Sequence, residues 1–466
     1  MRESEVNARH ALFVALASAC TGEPVAPPVL PAPEVTTAAV TPSPTSVLAA
    51  LATAEVRHAD SVAIRFGVVG EALDSMTPSI PASPGLLELP LLGLLAGTEY
   101  RLQVVAWGGG VMVAGDTLAL VTGPLPADLP LFAAGGPAPS PGYVLFSTGT
   151  YGIVMNNAGR VVWYVHFEDG PSLNFQAQPN GRYVARPATA DLAAVVPLVE
   201  MDALGRVTRS LGCAGGLRPR FHDVLVERNG GYWLLCDETR EMDLTGIGGV
   251  AAAEVTGTVV QHLDPAGTLL FSWSAFDHLE LTDLPLEDRA GAAVNWTHGN
   301  ALDLDAEGNL YLSFRSLSEI TKVDTRTGQV VWRLGGLRNA FTLPGGASPF
   351  LRQHGLRLTT GGELVLLDNF GESDGSRAER YRLDPGTGTA TLTGTYSPEP
   401  ATRAILGGTT QPLPGGGVLV AYGNGGRLEE YDAAGSRVWE VVGNAGYVFR
   451  AQRIRSLYHP EDGLAR

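Results

Sequence analysis

Beyond Gly142 the chain repeats one pattern of apolar and polar positions. Each unit holds an inner segment, a Gly-containing turn, an apolar run, a polar gap, a second run ending near Asp, another Gly turn, and a last run that often contains Trp. The clearest copy is Glu307-Gly308-Asn309-Leu310-Tyr311-Leu312-Ser313-Phe314, then Ile320-Thr321-Lys322-Val323-Asp324, then Gly328-Gln329-Val330-Val331-Trp332. The others cover Gly142 to Val165, Gly181 to Leu211, Gly230 to Trp273, Gly361 to Tyr396 and Gly415 to Val442. Six β-rich copies predict a six-bladed β-propeller over 142–466, because radial packing buries the faces of small sheets against their neighbours and leaves few open edges. The first unit lacks an inner segment, whereas the last is followed by a spare one, Arg450 to Tyr458. The C-terminal strand is therefore expected to complete the first blade.

Upstream, residues 46–123 read as short strands with Pro and Gly punctuation: Ser61 to Val68, Leu86 to Leu91, Tyr100 to Ala106 and Asp116 to Val121. This pattern predicts a small immunoglobulin/fibronectin type III-like β-sandwich. The stretch Leu92 to Tyr100 resembles the tyrosine-corner turn of fibronectin type III domains. Residues 124–141 read as a linker. The fold class is all-β, and composition agrees, since 58 glycines and 32 prolines are more than a helical chain would carry.

A formal charge of −16, with Lys322 the only lysine, argues against a nucleic-acid partner and reads as a solubilising surface. Arg2 and Arg9 precede or flank the short apolar run Ala11 to Ala19, which ends in Ala17, Ser18 and Ala19 just before Cys20. That run is too short to span a bilayer, which takes roughly 20 apolar residues, and has the form of a signal peptide over 1–20. Small residues ahead of Cys20 resemble a bacterial lipoprotein signal, implying lipidation of Cys20. The Pro-, Thr- and Ala-rich 21–45 would then be a tether. The expectation is an exported, membrane-anchored lipoprotein in the periplasm or at the cell surface; ordinary secretion with a coincidental cysteine is the competing reading. Cys213 and Cys236 form an even pair that could bridge in such a compartment.

Aligning the inner segments brings three of the nine histidines into register: His222 before the Asn229-Gly230 turn, His298 before Gly308, and His354 before Gly361-Gly362. Innermost strands line a propeller's channel, so the three imidazoles should converge at one mouth of it. His262 and His278 lie outside this register and read as structural. Asn300 stands two residues from His298, on the same side of a strand of period two, and Arg315 on the next strand offers a planar fork for a tetrahedral oxyanion. With Trp296 and Phe221 as aromatic neighbours, and Gln411 and Arg453 on the equivalent inner segments, the set suits an aromatic anion. It does not suit a metal, because the arginine would repel the cation and only Asp223 stands out as a carboxylate.

The segment Trp296 to Gly336, with His298-Gly299-Asn300, Ser313-Phe314-Arg315-Ser316-Leu317-Ser318-Glu319-Ile320 and Trp332-Arg333-Leu334-Gly335-Gly336, resembles the bacterial arylsulfotransferase family. Gln353-His354-Gly355, Leu367-Asp368-Asn369 and Arg450 to Tyr458 resemble it too. The resemblance implies a nucleotide-independent enzyme, without cofactor, that moves a sulfuryl group from an aryl sulfate donor to a phenolic acceptor through a sulfated histidine. His354 matches the nucleophile. His222, His298, Asn300 and Arg315 match the groups that hold the sulfuryl oxygens or shuttle protons. A tethered, non-catalytic propeller that binds an anionic or aromatic ligand is the alternative. A quinoprotein dehydrogenase is disfavoured by six repeats. A homo-oligomer is compatible with the sequence.

Overall fold

The computed structural model describes residues 31–168, 170, 173–187, 196–344, 349–371 and 375–462. The signal-like segment and Cys20 lie outside the described residues.

Alternation along Ala49–Arg57 puts Ala50, Ala52 and Ala54 on one buried face. That strand pairs with Glu34–Pro42 and Leu87–Leu92 in a three-stranded sheet. Its buried face packs against a second sheet built on Ser61–Val68 and Glu99–Gly108, so that Val62, Ile64, Leu102 and Val104 share one core with the alanines. The Leu92-to-Tyr100 turn is pinned by Tyr100, whose hydroxyl accepts from Leu95 N at 2.8 Å.

Six sheets follow among the described residues, each built on four antiparallel strands, the third with an added strand, Ala293–Asn295, paired parallel. Their first strands are, for the second to sixth sheets, Gln176–Ala177, Arg218–Val226, Gly299–Leu304, His354–Leu358 and Thr409–Pro412. In the first sheet that place is taken by the C-terminal strand Ala451–Ile454, which pairs with Tyr143–Thr148 in the register Tyr143↔Ile454 to Phe146↔Ala451. This is the exchange of termini that the unequal first and last units predict. The sixth sheet gains an outer strand, Ala133–Gly135, from the stretch read as a linker.

Burial explains the arrangement. Each sheet is apolar on both faces, and each apolar cluster joins one sheet to the next. Val184 and Leu198 meet Val224 and Leu234, Trp273 meets Leu312 and Phe314, and Ile320 meets Leu364 and Leu366. The sixth sheet, through Leu419, Leu428 and Trp439, packs back on Phe146 and Ile153 of the first. First strands of consecutive sheets also lie against one another, which gathers their side chains around a common centre. A disulfide joins Cys213 and Cys236, whose Cα atoms are 6.3 Å apart, tying the end of the second sheet to the third. The N-terminal sheets are docked against the first of the six sheets and the C-terminal segment: Ala49 and Leu92 share a core with Ile454 and Leu457, and Leu92 N donates to the Tyr458 hydroxyl at 3.0 Å.

Candidate active site

Three of the first strands are irregular at one level. Pairing in the third sheet shifts between Pro219 and Val224, in the fourth between Gly299 and Ala301, and in the fifth between His354 and Arg357. Bulges of this kind re-aim side chains and end regular pairing. His298, just ahead of its strand, has φ 49°, and Arg352 has φ 53°, a left-handed region that costs a non-glycine residue free energy. Gly355 also lies there, at φ 64°, and a Cβ on it would sit 2.4 Å from Thr409 Cα, so only glycine fits between the fifth and sixth sheets.

These irregularities bring His222, His298 and His354 together, with one ring nitrogen of each within 4.8 Å of the others. The Nε2 atoms of His222 and His298 are 3.2 Å apart. His354 is buried, and its Nδ1 is 2.7 Å from Asn369 Oδ1. Burial lowers its pKa to about 4; the Arg315 and Arg450 charges act the same way, while Asn369 and the Arg352 carbonyl pull against them. His222 and His298 are pushed well below the ordinary imidazole value, first by burial and then by the Arg220 charge. All three rings are thus neutral at pH 7.

Arg315 follows the strand Leu310–Phe314, and its backbone N donates to His298 O at 3.1 Å. Its guanidinium is half-buried, lies 5.9 Å from the Phe370 ring centre, and makes no hydrogen bond or ion pair to a described residue. Phe221 stacks on His222 with ring centres 4.1 Å apart. Beside them opens a cavity of about 400 Å³ walled by Arg186, Arg218, Arg220, Phe221 and Asn295, a size typical of small-molecule sites.

Other expected residues are placed differently. Asn300 is buried, but strand alternation fails at the bulge, and its Nδ2 donates to Gln353 O at 2.7 Å, bracing the strand that carries His354. Trp296 is not beside the histidines: it is a core residue, 1% exposed and 5.0 Å from the Phe276 ring, because it precedes the strand and faces the third sheet's helical insert. Gln411 lies on an inner strand, yet both ends of its amide bond the backbone of Arg453. Arg453 turns between the sixth and first sheets, pairing with Glu430 and bonding Ser140 O and Asn157 Oδ1. His262 and His278 are structural, stacked on Trp233 and Trp273.

Several participants were not singled out from sequence. Asn369 holds His354, Arg220 donates to His222 Nδ1 at 3.3 Å, and Arg450 donates to His222 O at 2.7 Å. Beneath the histidines, buried Asp223 takes Arg357 at 2.9 Å and Arg450 at 3.1 Å; burial opposes its ionisation, but the two guanidiniums hold its pKa low. Asn369 and Arg450 fall in segments quoted for the family resemblance, which was the available signal. The nitrogens of the three histidines are close enough to share a metal ion. However, the arginines that keep the rings from taking up a proton would oppose a divalent cation equally, and Asp223 is already saturated by arginine.

No curated protein matches the chain. Among solved structures, a protein of unknown function from Bacteroides caccae matches over 68% of this chain and 100% of its own at 12% identity, with a TM-score of 0.45. A streptogramin B lyase matches over 57% of this chain and 67% of its own at 12% identity, with a TM-score of 0.34. A catalytically inactive virginiamycin B lyase from Staphylococcus aureus, solved with quinupristin, matches over 66% and 88% at 10% identity, with a TM-score of 0.37. The model of the arylsulfotransferase (ASST) family matches residues 219–444. That segment, just under half of the chain, carries His222, His298, Asn300, Arg315 and His354 and is similar to the arylsulfotransferase family.

Proposed function

We propose that this protein is a nucleotide-independent sulfotransferase that moves a sulfuryl group from an aryl sulfate to a phenol by a ping-pong route through His354. The observation that carries the reading is a cluster of three neutral imidazoles beside an Arg315 guanidinium that has no hydrogen-bond or ion-pair partner among the described residues. A neutral imidazole is a competent nucleophile, and a planar guanidinium is suited to the oxygens of a sulfuryl group. In the first half-reaction an N–S bond to His354 forms as the S–O bond to the aryl group breaks, and the phenolate departs with the electron pair. In the second, the acceptor phenol gives its proton to water, its oxygen attacks sulfur, and the N–S pair returns to the ring. Arg315 offsets charge on the sulfuryl oxygens, and the imidazoles of His222 and His298 face the bridging oxygen.

The six sheets are read as blades of a six-bladed propeller and the two N-terminal sheets as an immunoglobulin/fibronectin type III-like sandwich. The expected 21–45 tether is shorter than the sequence suggested, because Glu34–Pro42 is a strand of the N-terminal sheet; residues 21–33 are read as a tether on a lipidated Cys20, which would hold the site outside the cytoplasm. Fatty-acid labelling that marks the wild type but not Cys20→Ser is the expected result.

Mixing the protein with 4-nitrophenyl sulfate alone tests the chemistry. One equivalent of phenol and an acid-labile adduct on the His354 peptide are expected, and His354→Ala should lose both. If wild type releases no phenol from any aryl sulfate, a tethered protein that binds aromatic anions becomes the better reading.

A further inference from the structure

A neutral imidazole carries one proton, and its neighbours decide which nitrogen holds it. At His354 that neighbour is Asn369, whose amide orientation is fixed independently. Its Nδ2 donates to Ala404 O at 2.6 Å and Gly407 O at 3.0 Å, and turning the amide over would set an oxygen against two carbonyls. Oδ1 must therefore face His354, and the ring must answer with Nδ1–H. The lone pair is then on Nε2.

At His222 the opposite holds. Arg220, anchored by Asp237, can only donate, so His222 Nδ1 accepts and the proton is on Nε2. That Nε2–H points at His298 Nε2, which must accept, leaving the His298 proton on Nδ1. The Asn295 atom 2.7 Å from that Nδ1 is Nδ2, so the assignment requires this amide to turn over and present its oxygen instead.

We infer that Asn369 and the Asp237–Arg220 pair are positioning residues that lock His354 and His222 into opposite tautomers, one offering a bare Nε2 and the other an Nε2–H. The inference rests on the sulfotransferase reading for its purpose but not for its geometry. Atoms balance without a proton leaving His354: Nε2 takes the sulfuryl group, Nδ1–H stays on Asn369, and the aryl oxygen leaves with its electron pair. The His222 Nε2–H is held by His298 Nε2 in the ligand-free site, so a hydrogen bond from it to the departing oxygen would be shared with that acceptor. The wrong tautomer of His354 would present a hydrogen, not an electron pair, to the sulfur.

Two-bond ¹H–¹⁵N correlation on ¹⁵N-histidine-labelled, ligand-free protein at pH 7 reads the tautomers directly. Signals are assigned from their loss in His354→Gln, His222→Gln and His298→Gln. Expected are Nδ1–H for His354 and His298, and Nε2–H for His222; an Nε2–H form of His354 or an Nδ1–H form of His222 overturns the inference. Asn369→Ala should mix the His354 tautomers and slow single-turnover phenol release on the order of 10- to 100-fold with donor KM little changed. Because Asn369 also braces two carbonyls, Arg220→Met serves as a second variant: it should mix the His222 tautomers and leave His354 as Nδ1–H. If Asn369→Ala changes neither tautomer nor rate, the residue has no positioning role. If the tautomers are as stated and wild type releases no phenol, the sulfotransferase reading fails while the assignment stands.

Discussion

Acid is the perturbation that separates a buried, arginine-flanked imidazole from an ordinary one. His354 titrates at about 4 in the fold against 6.5 for a free ring. At pH 5 an ordinary imidazole would be about 3% neutral, whereas a ring of pKa 4 is about 90% neutral, a difference of about 30-fold in available nucleophile. Phenol release from donor alone, quenched into base and read as phenolate, should therefore hold nearly level from pH 7 to 5 and fall only as pH approaches 4. The same shift affects stability, with a definite sign. The folded pKa lies below the unfolded one, so as pH falls below 6.5 the unfolded chain takes up the proton first, and stability is lost between pH 6.5 and about 4. For His354 alone that loss is about 2 kcal/mol between pH 7 and 5. His222 and His298 add losses of the same sign. Urea titrations of wild type and His354→Gln at the two pH values isolate the His354 share, because glutamine does not titrate. A release rate that halves near pH 6.5, or wild-type and variant stabilities that fall in parallel, would refute the claim that the fold holds His354 neutral.

Arg315→Lys should still form the adduct, but more slowly, since a point charge replaces a planar fork; a loss of roughly 3 kcal/mol in transition-state stabilisation, read from single-turnover rates, fits one lost preorganised contact. Asp223→Ala should destabilise the fold by about 3–5 kcal/mol in urea titration, because Arg357 and Arg450 would be left buried without their shared carboxylate. Full stability in that variant would mean the ion cluster contributes nothing. Replacing both Cys213 and Cys236 by serine should cost about 3 kcal/mol, from releasing a closed loop of sequence separation 23, and should leave the phenol burst unchanged.

Repetition made most of the fold legible. Gly turns and apolar runs recur because every sheet must bury both faces against identical neighbours, and the spare segment at Arg450–Tyr458 has only one place to pair. The convergence of His222, His298 and His354 was legible for the same reason: equivalent positions in a cyclic repeat face a common axis. Alternation failed where the repeat itself breaks. It put Asn300 beside His298, but the Gly299/Ala301 bulge turns that amide toward Gln353. It also gave no warning that Arg453 would leave the centre for Glu430, or that Trp296 would fill a core, because period two says which side a residue takes and not which neighbour waits there. Partners contributed by distant segments decided the rest. Asn369 meets His354 across a strand pair, and Asp223 joins Arg357 and Arg450 from three different sheets. The sequence by itself determined the residue types, their period and their common level on the ring. Tertiary structure alone decided the protonation of the histidines, since that depends on burial and on charges brought together from positions far apart in the chain.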